Sequence, residues 1–135
     1  MQDWGQLSKE IVHWIKQYAE SNQITSLIVG VSGGIDSAVT STLCAKTGLN
    51  TIVLNMPIHQ ETSQFNLSNR HIEWLKSNWE NVDSHTIDLS NTYDLYSNEL
   101  HNHNISDLAL ARVRADLYST TSLSKAVKVS ERSII

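Results

Sequence analysis

The chain has 135 residues, 40% of them hydrophobic and 18% charged, with a formal net charge of −4. That length suits one domain around one core, and the composition is that of a globular chain rather than a disordered one. The acidic balance argues against nucleic-acid binding by bulk electrostatics, and the lone Cys44 excludes an internal disulfide or a multi-cysteine zinc site. No apolar run reaches the roughly 20 residues that span a bilayer, and no basic stretch with an apolar core opens the N-terminus, so a cytoplasmic location is expected.

The first segment places Trp4, Leu7, Ile11, Trp14, Ile15 and Tyr18 at steps of three and four, one face of an amphipathic helix. Polar Ser21-Asn22-Gln23 ends it. Leu27-Ile28-Val29-Gly30-Val31 is a short apolar run rich in β-branched residues, the pattern of a buried parallel strand. It stops at Ser32-Gly33-Gly34, and helix formers follow from Ile35 to Lys46, with Gly48 placed as a C-terminal glycine. A second strand, Thr51 to Met56, ends at Pro57. Phe65, Ile72, Leu75 and Trp79 mark a third helix, and His85 to Asp88 a third strand with a last helix beyond it. This alternation predicts a three-layer α/β/α fold with a parallel sheet. Ligands of such sheets bind beyond the carboxyl ends of the strands, where Ser32 and Pro57 fall.

Val31-Ser-Gly-Gly-Ile-Asp-Ser-Ala38 lies at the first of those ends. Two glycines let the backbone take positive φ and approach a bulky anion. The N–H groups opening the next helix, at the positive end of its dipole, suit phosphate oxygens, and Ser32 and Ser37 add hydroxyl donors. Asp36 repels phosphate directly but makes sense with Mg²⁺ between them. A serine-capped glycine turn is the plain alternative. Against it, the five fixed residues of S-G-G-x-D-S recur by chance in roughly one in 10⁴ chains of this size, and here they sit in a strand–loop–helix context. The loop is neither a Walker loop nor a G-x-G-x-x-G fingerprint.

S-G-G-x-D-S is similar to the signature of the PP-loop ATP pyrophosphatases, a superfamily with a Rossmann-like fold of the adenine nucleotide alpha-hydrolase type. The longer string Ile28 to Gly48, with Leu54-Asn-Met-Pro-Ile-His-Gln60 and Ile87-Asp-Leu89, resembles NAD synthases of the short, ammonia-using bacterial kind from about Ile11 to Ala111. The resemblance implies that Ser32, Gly33, Gly34, Asp36 and Ser37, with Ile35 between them, hold the pyrophosphate of ATP and Mg²⁺. It implies that Val29, Gly30 and Val31 underlie the adenosine, that Leu54 and Met56 flank adenine, and that Gln60 contacts the nucleotide. It implies a homodimer acting on nicotinic acid adenine dinucleotide, ATP and ammonia. The reaction it implies is attack of the carboxylate on the α-phosphorus, departure of pyrophosphate, and displacement of AMP by ammonia. No protein nucleophile is required, and Cys44 reads as a small buried hydrophobe.

The resemblance also has limits. Between Leu108 and Leu123 the family carries an asparagine and two arginines along a helix; ungapped, those positions hold Arg112, Asp116 and Tyr118, which leaves Arg112 and Arg114 as candidate substrate contacts. Many relatives have an arginine where Asn55 stands. Residues 1–123 therefore read as a partial synthase domain, incomplete at the C-terminus, and 124–135 as a divergent, mildly basic tail with Lys125, Lys128 and Arg132. The alternatives are a nucleotide-binding remnant without catalysis and another PP-loop enzyme such as a tRNA modifier. Among the histidines, His59 is the one expected near nucleotide, and the four tryptophans are assigned to core packing or a dimer surface.

Overall fold

A computed structural model of the chain describes the backbone of residues 1–133 and the side chains of residues 1–126. Helix α1 (Trp4–Ser21) leads into strand β1 (Ser26–Gly30), helix α2 (Ile35–Lys46) and strand β2 (Asn50–Asn55). Helix α3 (Thr62–Asn78), strand β3 (Val82–Thr86) and helices α4 (Ser90–His101) and α5 (Asp107–Ser133) follow. The strands form one parallel sheet in the order β1-β2-β3, Ser26 paired with Asn50 and Thr51 with Val82. This is the expected α/β architecture.

Central β2 is buried from Thr51 to Asn55 and feeds both faces, because successive strand side chains point to opposite sides. Val53 joins Val31, Ala45, Ile72, Leu75 and Val82 under α2 and α3. Its neighbours Ile52 and Leu54 join Met56, Ile58 and Leu89 on the other face, where Leu117 and Tyr118 of α5 and Tyr93 of α4 close over them. Helix α1 packs against α2.

Four details differ from the sequence reading. The third strand runs from Val82 to Thr86, earlier than His85 to Asp88, because Val82 supplies the apolar anchor of the first core. Two helices follow β3 instead of one; the chain turns at Asn102 to Asn104, the last at φ +62°, before Ser106 caps a new start through the N–H of Ala109. The tryptophans divide: Trp79 packs against the first core, whereas Trp4, Trp14 and Trp74 are 74%, 64% and 47% exposed and are not core residues. Finally, α5 is continuous through the 123/124 boundary assigned to the tail. The side chains of Lys128 and Arg132 lie outside the described residues.

Candidate functional site: a phosphate loop and its cleft

The turn after β1 is held by its own serines. Ser32 N–H donates to Ser37 Oγ at 3.1 Å, Gly34 N–H to Ser32 Oγ at 3.3 Å, and Ser37 Oγ to the Gly34 carbonyl at 3.0 Å. Gly33 has φ +87°, and a Cβ there would meet the Gln64 carbonyl oxygen at 2.8 Å, so the position requires glycine on two counts. Gly34 caps α2 without any side-chain acceptor. The first N–H groups of the helix therefore face outward at its positive end, as an anion site needs.

Asp36 stands in this first turn, exposed, its carboxylate without a protein partner among the described residues. Those residues hold no cluster of three His, Cys, Asp or Glu side chains that could enclose a metal ion. Mg²⁺ does not need one, since it takes one or two carboxylates together with substrate phosphates and water. A single free carboxylate beside a phosphate loop fits that donor set.

Beyond the strand ends opens a cleft of about 620 Å³. The loop side gives Gly30, Val31 and Ser32; the β2–α3 connection gives Met56, His59, Gln60 and Glu61; and α5 gives Arg114, Tyr118, Ser119 and Ser122. Gln60 Nε2 donates to the Ser32 carbonyl at 3.0 Å and ties the two strand ends together. The Met56 methyl lies 3.2 Å from where a Gly30 Cβ would stand, so glycine there lets the thioether floor the cleft. The thiol of Cys44 is buried in α2, and burial pushes its pKa up, as befits packing rather than attack.

Of the residues singled out by sequence, Gly30, Val31, Ser32, Asn55, Met56, His59, Gln60, Arg114 and Tyr118 line the cleft. Gly33, Gly34, Ile35, Asp36 and Ser37 form the adjoining turn and helix start, with Ile35 74% exposed. Val29 is inside β1, and Leu54 is fully buried in the second core, so its side chain does not reach the cleft. Arg112 points elsewhere: its Nε lies 3.2 Å from Asp116 on the exposed face of α5. Asn55, where relatives carry arginine, is buried and donates to Asn69 Oδ1 of α3 at 3.1 Å.

Sequence reasoning passed over the start of α4, where Ser90, Tyr93 and Asp94 gather around His59. His59 N–H donates to Ser90 Oγ at 3.0 Å, and its ring Nε2 is 2.6 Å from Asp94 Oδ1. The hydroxyl and N–H of Ser90 hold the Asp88 carboxyl below its usual range, with a smaller pull from His59. No local motif announces this group, because its members come from segments about 30 residues apart.

A parallel sheet with a glycine loop that feeds a helix, beside a cleft closed by a later helix, defines the class of α/β proteins whose ligand clefts open beyond the carboxyl ends of the strands. The sequence model of the NAD synthase family matches residues 7–131, and the chain belongs to that family. The match extends to residue 131, into the 124–135 segment described above as divergent. An ammonia-dependent NAD⁺ synthetase of Finegoldia magna is 42% identical over 57 residues, 42% of this chain and 24% of that protein. The corresponding protein of Carboxydothermus hydrogenoformans is 24% identical over 128 residues, 88% of this chain and 49% of its own length. In fold, the chain superposes on the NMN synthetase of Francisella tularensis with TM-score 0.83 at 23% identity, covering 95% of this chain and 52% of that one. On the ammonia-dependent NAD synthetase of Campylobacter jejuni the TM-score is 0.81 at 22% identity, with 93% and 53% covered. The chain thus spans about half or less of the length of these relatives.

Proposed function

We propose that the chain is the nucleotide-gripping part of an ammonia-dependent NAD synthase. The observation that carries this reading is the Ser32–Ser37 turn, whose positive-φ glycine and side-chain-free cap leave the start of α2 open at the mouth of the cleft. ATP lies with its pyrophosphate on that turn and its adenosine in the cleft over Gly30 and Met56; Asp36 would hold Mg²⁺, which would supply neutralisation of the phosphate charge. Nicotinic acid adenine dinucleotide brings its carboxylate to the α-phosphorus, pyrophosphate leaves, and ammonia attacks the acyl adenylate to give the amide and AMP. The chain contributes charge stabilisation and positioning, the terms that dominate phosphoryl and adenylyl transfer.

Arg114, expected from the sequence as a substrate contact, lines the cleft that adenosine occupies and is the cation available to ATP in this reading, whereas Arg112 is engaged by Asp116. The exposed Trp14 and Tyr18 rings, stacked at 5.6 Å on α1, offer an apolar surface for a homodimer, which sedimentation would reveal. A cytoplasmic location is part of the same proposal; among the described residues no helix is long and apolar enough to cross a membrane.

The test follows NAD formation by the purified chain given nicotinic acid adenine dinucleotide, ATP, Mg²⁺ and ammonium, alongside ATP titrations. Asp36→Ala is expected to abolish most of the Mg²⁺ dependence of ATP binding and to leave the circular dichroism spectrum unchanged. Equal affinities in both proteins would reject the role of Asp36. The chain's span relative to its relatives favours one second reading, a nucleotide-binding part that needs further chain for turnover. ATP binding without pyrophosphate release would select it.

A further inference from the structure

Two nitrogen-bearing side chains that line the cleft, Arg114 of α5 and His59 of the β2–α3 connection, are both held by the first turns of α4. The Arg114 guanidinium carbon stands 5.0 Å from the centroid of the Tyr93 ring. The His59 ring meets the same tyrosine edge-on, with centroids 6.4 Å apart, while Asp94 and Ser90 take its Nε2 and its backbone N–H. His59 has φ +46°, a left-handed conformation that a non-glycine residue keeps only where its surroundings over-determine it. Three partners on α4 do so here.

We propose that Tyr93 and Asp94 are positioning residues of the nucleotide cleft, Tyr93 fixing the guanidinium of Arg114 and Asp94 fixing the ring of His59 beside Gln60. The proposal rests on the reading of the cleft as the nucleotide site. A guanidinium over an aromatic face leaves its in-plane N–H groups free for a phosphate or carboxylate. A free arginine is costly to immobilise, and one already docked loses less freedom when the anion arrives. Only the π face of Tyr93 is needed for this, so phenylalanine serves as well as tyrosine. Leucine keeps apolar bulk against the second core, to which Tyr93 also belongs, but offers no face.

The experiment titrates ATP–Mg²⁺ into the full chain and into Tyr93→Phe, Tyr93→Leu, Arg114→Ala and the double variant Tyr93→Leu/Arg114→Ala. Tyr93→Leu is expected to weaken binding roughly five- to tenfold and Tyr93→Phe less than about twofold. The double variant should be no weaker than Arg114→Ala alone, because the tyrosine acts through the arginine. Losses that multiply, or a phenylalanine variant as weak as the leucine one, would overturn the proposal in favour of simple helix packing. A parallel reading needs no ATP: the Arg114 Cδ protons should carry an upfield ring-current shift in NMR spectra of the wild type and Tyr93→Phe, and lose it in Tyr93→Leu. Absence of that shift in the wild type refutes the positioning, whereas its presence in a chain that binds no ATP refutes the function proposed above and leaves the geometry standing. For Asp94, Asp94→Asn should weaken ATP–Mg²⁺ no further in a His59→Ala background, and a full additional loss there would remove it from the role.

Discussion

Gly33 shows how much a single position can specify. Its φ of +87° disfavours any L side chain by about 1–2 kcal/mol, and the Gln64 carbonyl 2.8 Å from an added Cβ blocks relaxation on that side. Gly33→Ala is therefore expected to cost about 2 kcal/mol or more in urea denaturation, and to distort the turn that Ser32 and Ser37 brace. An unchanged urea midpoint would mean that the loop adapts, and the argument for a rigid anion cradle would fall with it. This residue was legible in sequence because the requirement is local: a strand end, a tight turn and a helix start lie within a few residues. The place of His59 near the cleft was legible too, but its partners on α4 and the part played by Tyr93 were not, since each depends on a contact that folding alone brings about.

Among the elements, α2 and α3 are joined by a polar contact inside an apolar interface. Ser41, fully buried on α2, lies 2.9 Å from Nε2 of His71 on α3, and the His71 ring stacks on Trp74 at 5.7 Å. Desolvation lowers the pKa of His71, so the fold favours the neutral ring. The folded pKa is depressed below the unfolded value of about 6.5, so unfolded chain takes up the proton first. The contribution to stability is accordingly complete above that value and is lost as pH falls through it towards the folded pKa. His71→Gln, which retains hydrogen-bonding capacity toward Ser41 without a titrating ring, should flatten the decline of the urea midpoint below about pH 6.5. Parallel pH profiles for the two proteins would show that His71 is not responsible. The helical periodicity of α3 was visible through Phe65, Ile72 and Leu75, but periodicity does not say which neighbour a half-buried histidine will face.

For the whole molecule the controlling fact is that β2 belongs to both cores. Val53 points to the α2–α3 side and Leu54 to the α4–α5 side, so neither face can open without disturbing the same strand. Leu54→Ala is expected to destabilise the chain by about 3 kcal/mol. The loss should appear equally in far-ultraviolet circular dichroism and in tryptophan fluorescence, although all four tryptophans lie on α1 or at α3 and its C-cap. Coincident transitions are the mark of one cooperative unit. If Leu54→Ala moved the dichroism midpoint and left fluorescence in place, the α4–α5 face would be a separate unit and the cleft between loop and α5 a loose one.

Sequence alone determined the alternation of helices and strands, the parallel sheet and the glycine turn after the first strand, because each is written in short-range patterns: period 2 or 3.6, glycine at a turn, helix formers after it. Tertiary structure decided the rest. It chose Arg114 over Arg112 for the cleft, since which face of α5 meets the sheet depends on Leu117 and Tyr118 packing against the second core. It placed Leu54 within the protein and Met56 on the cleft floor, because the strand's pleat and the close approach at Gly30 set which side chain emerges. And it assembled Ser90, Tyr93 and Asp94 around His59, a grouping whose members are distant in sequence and meet only once α4 docks beside the β2–α3 connection.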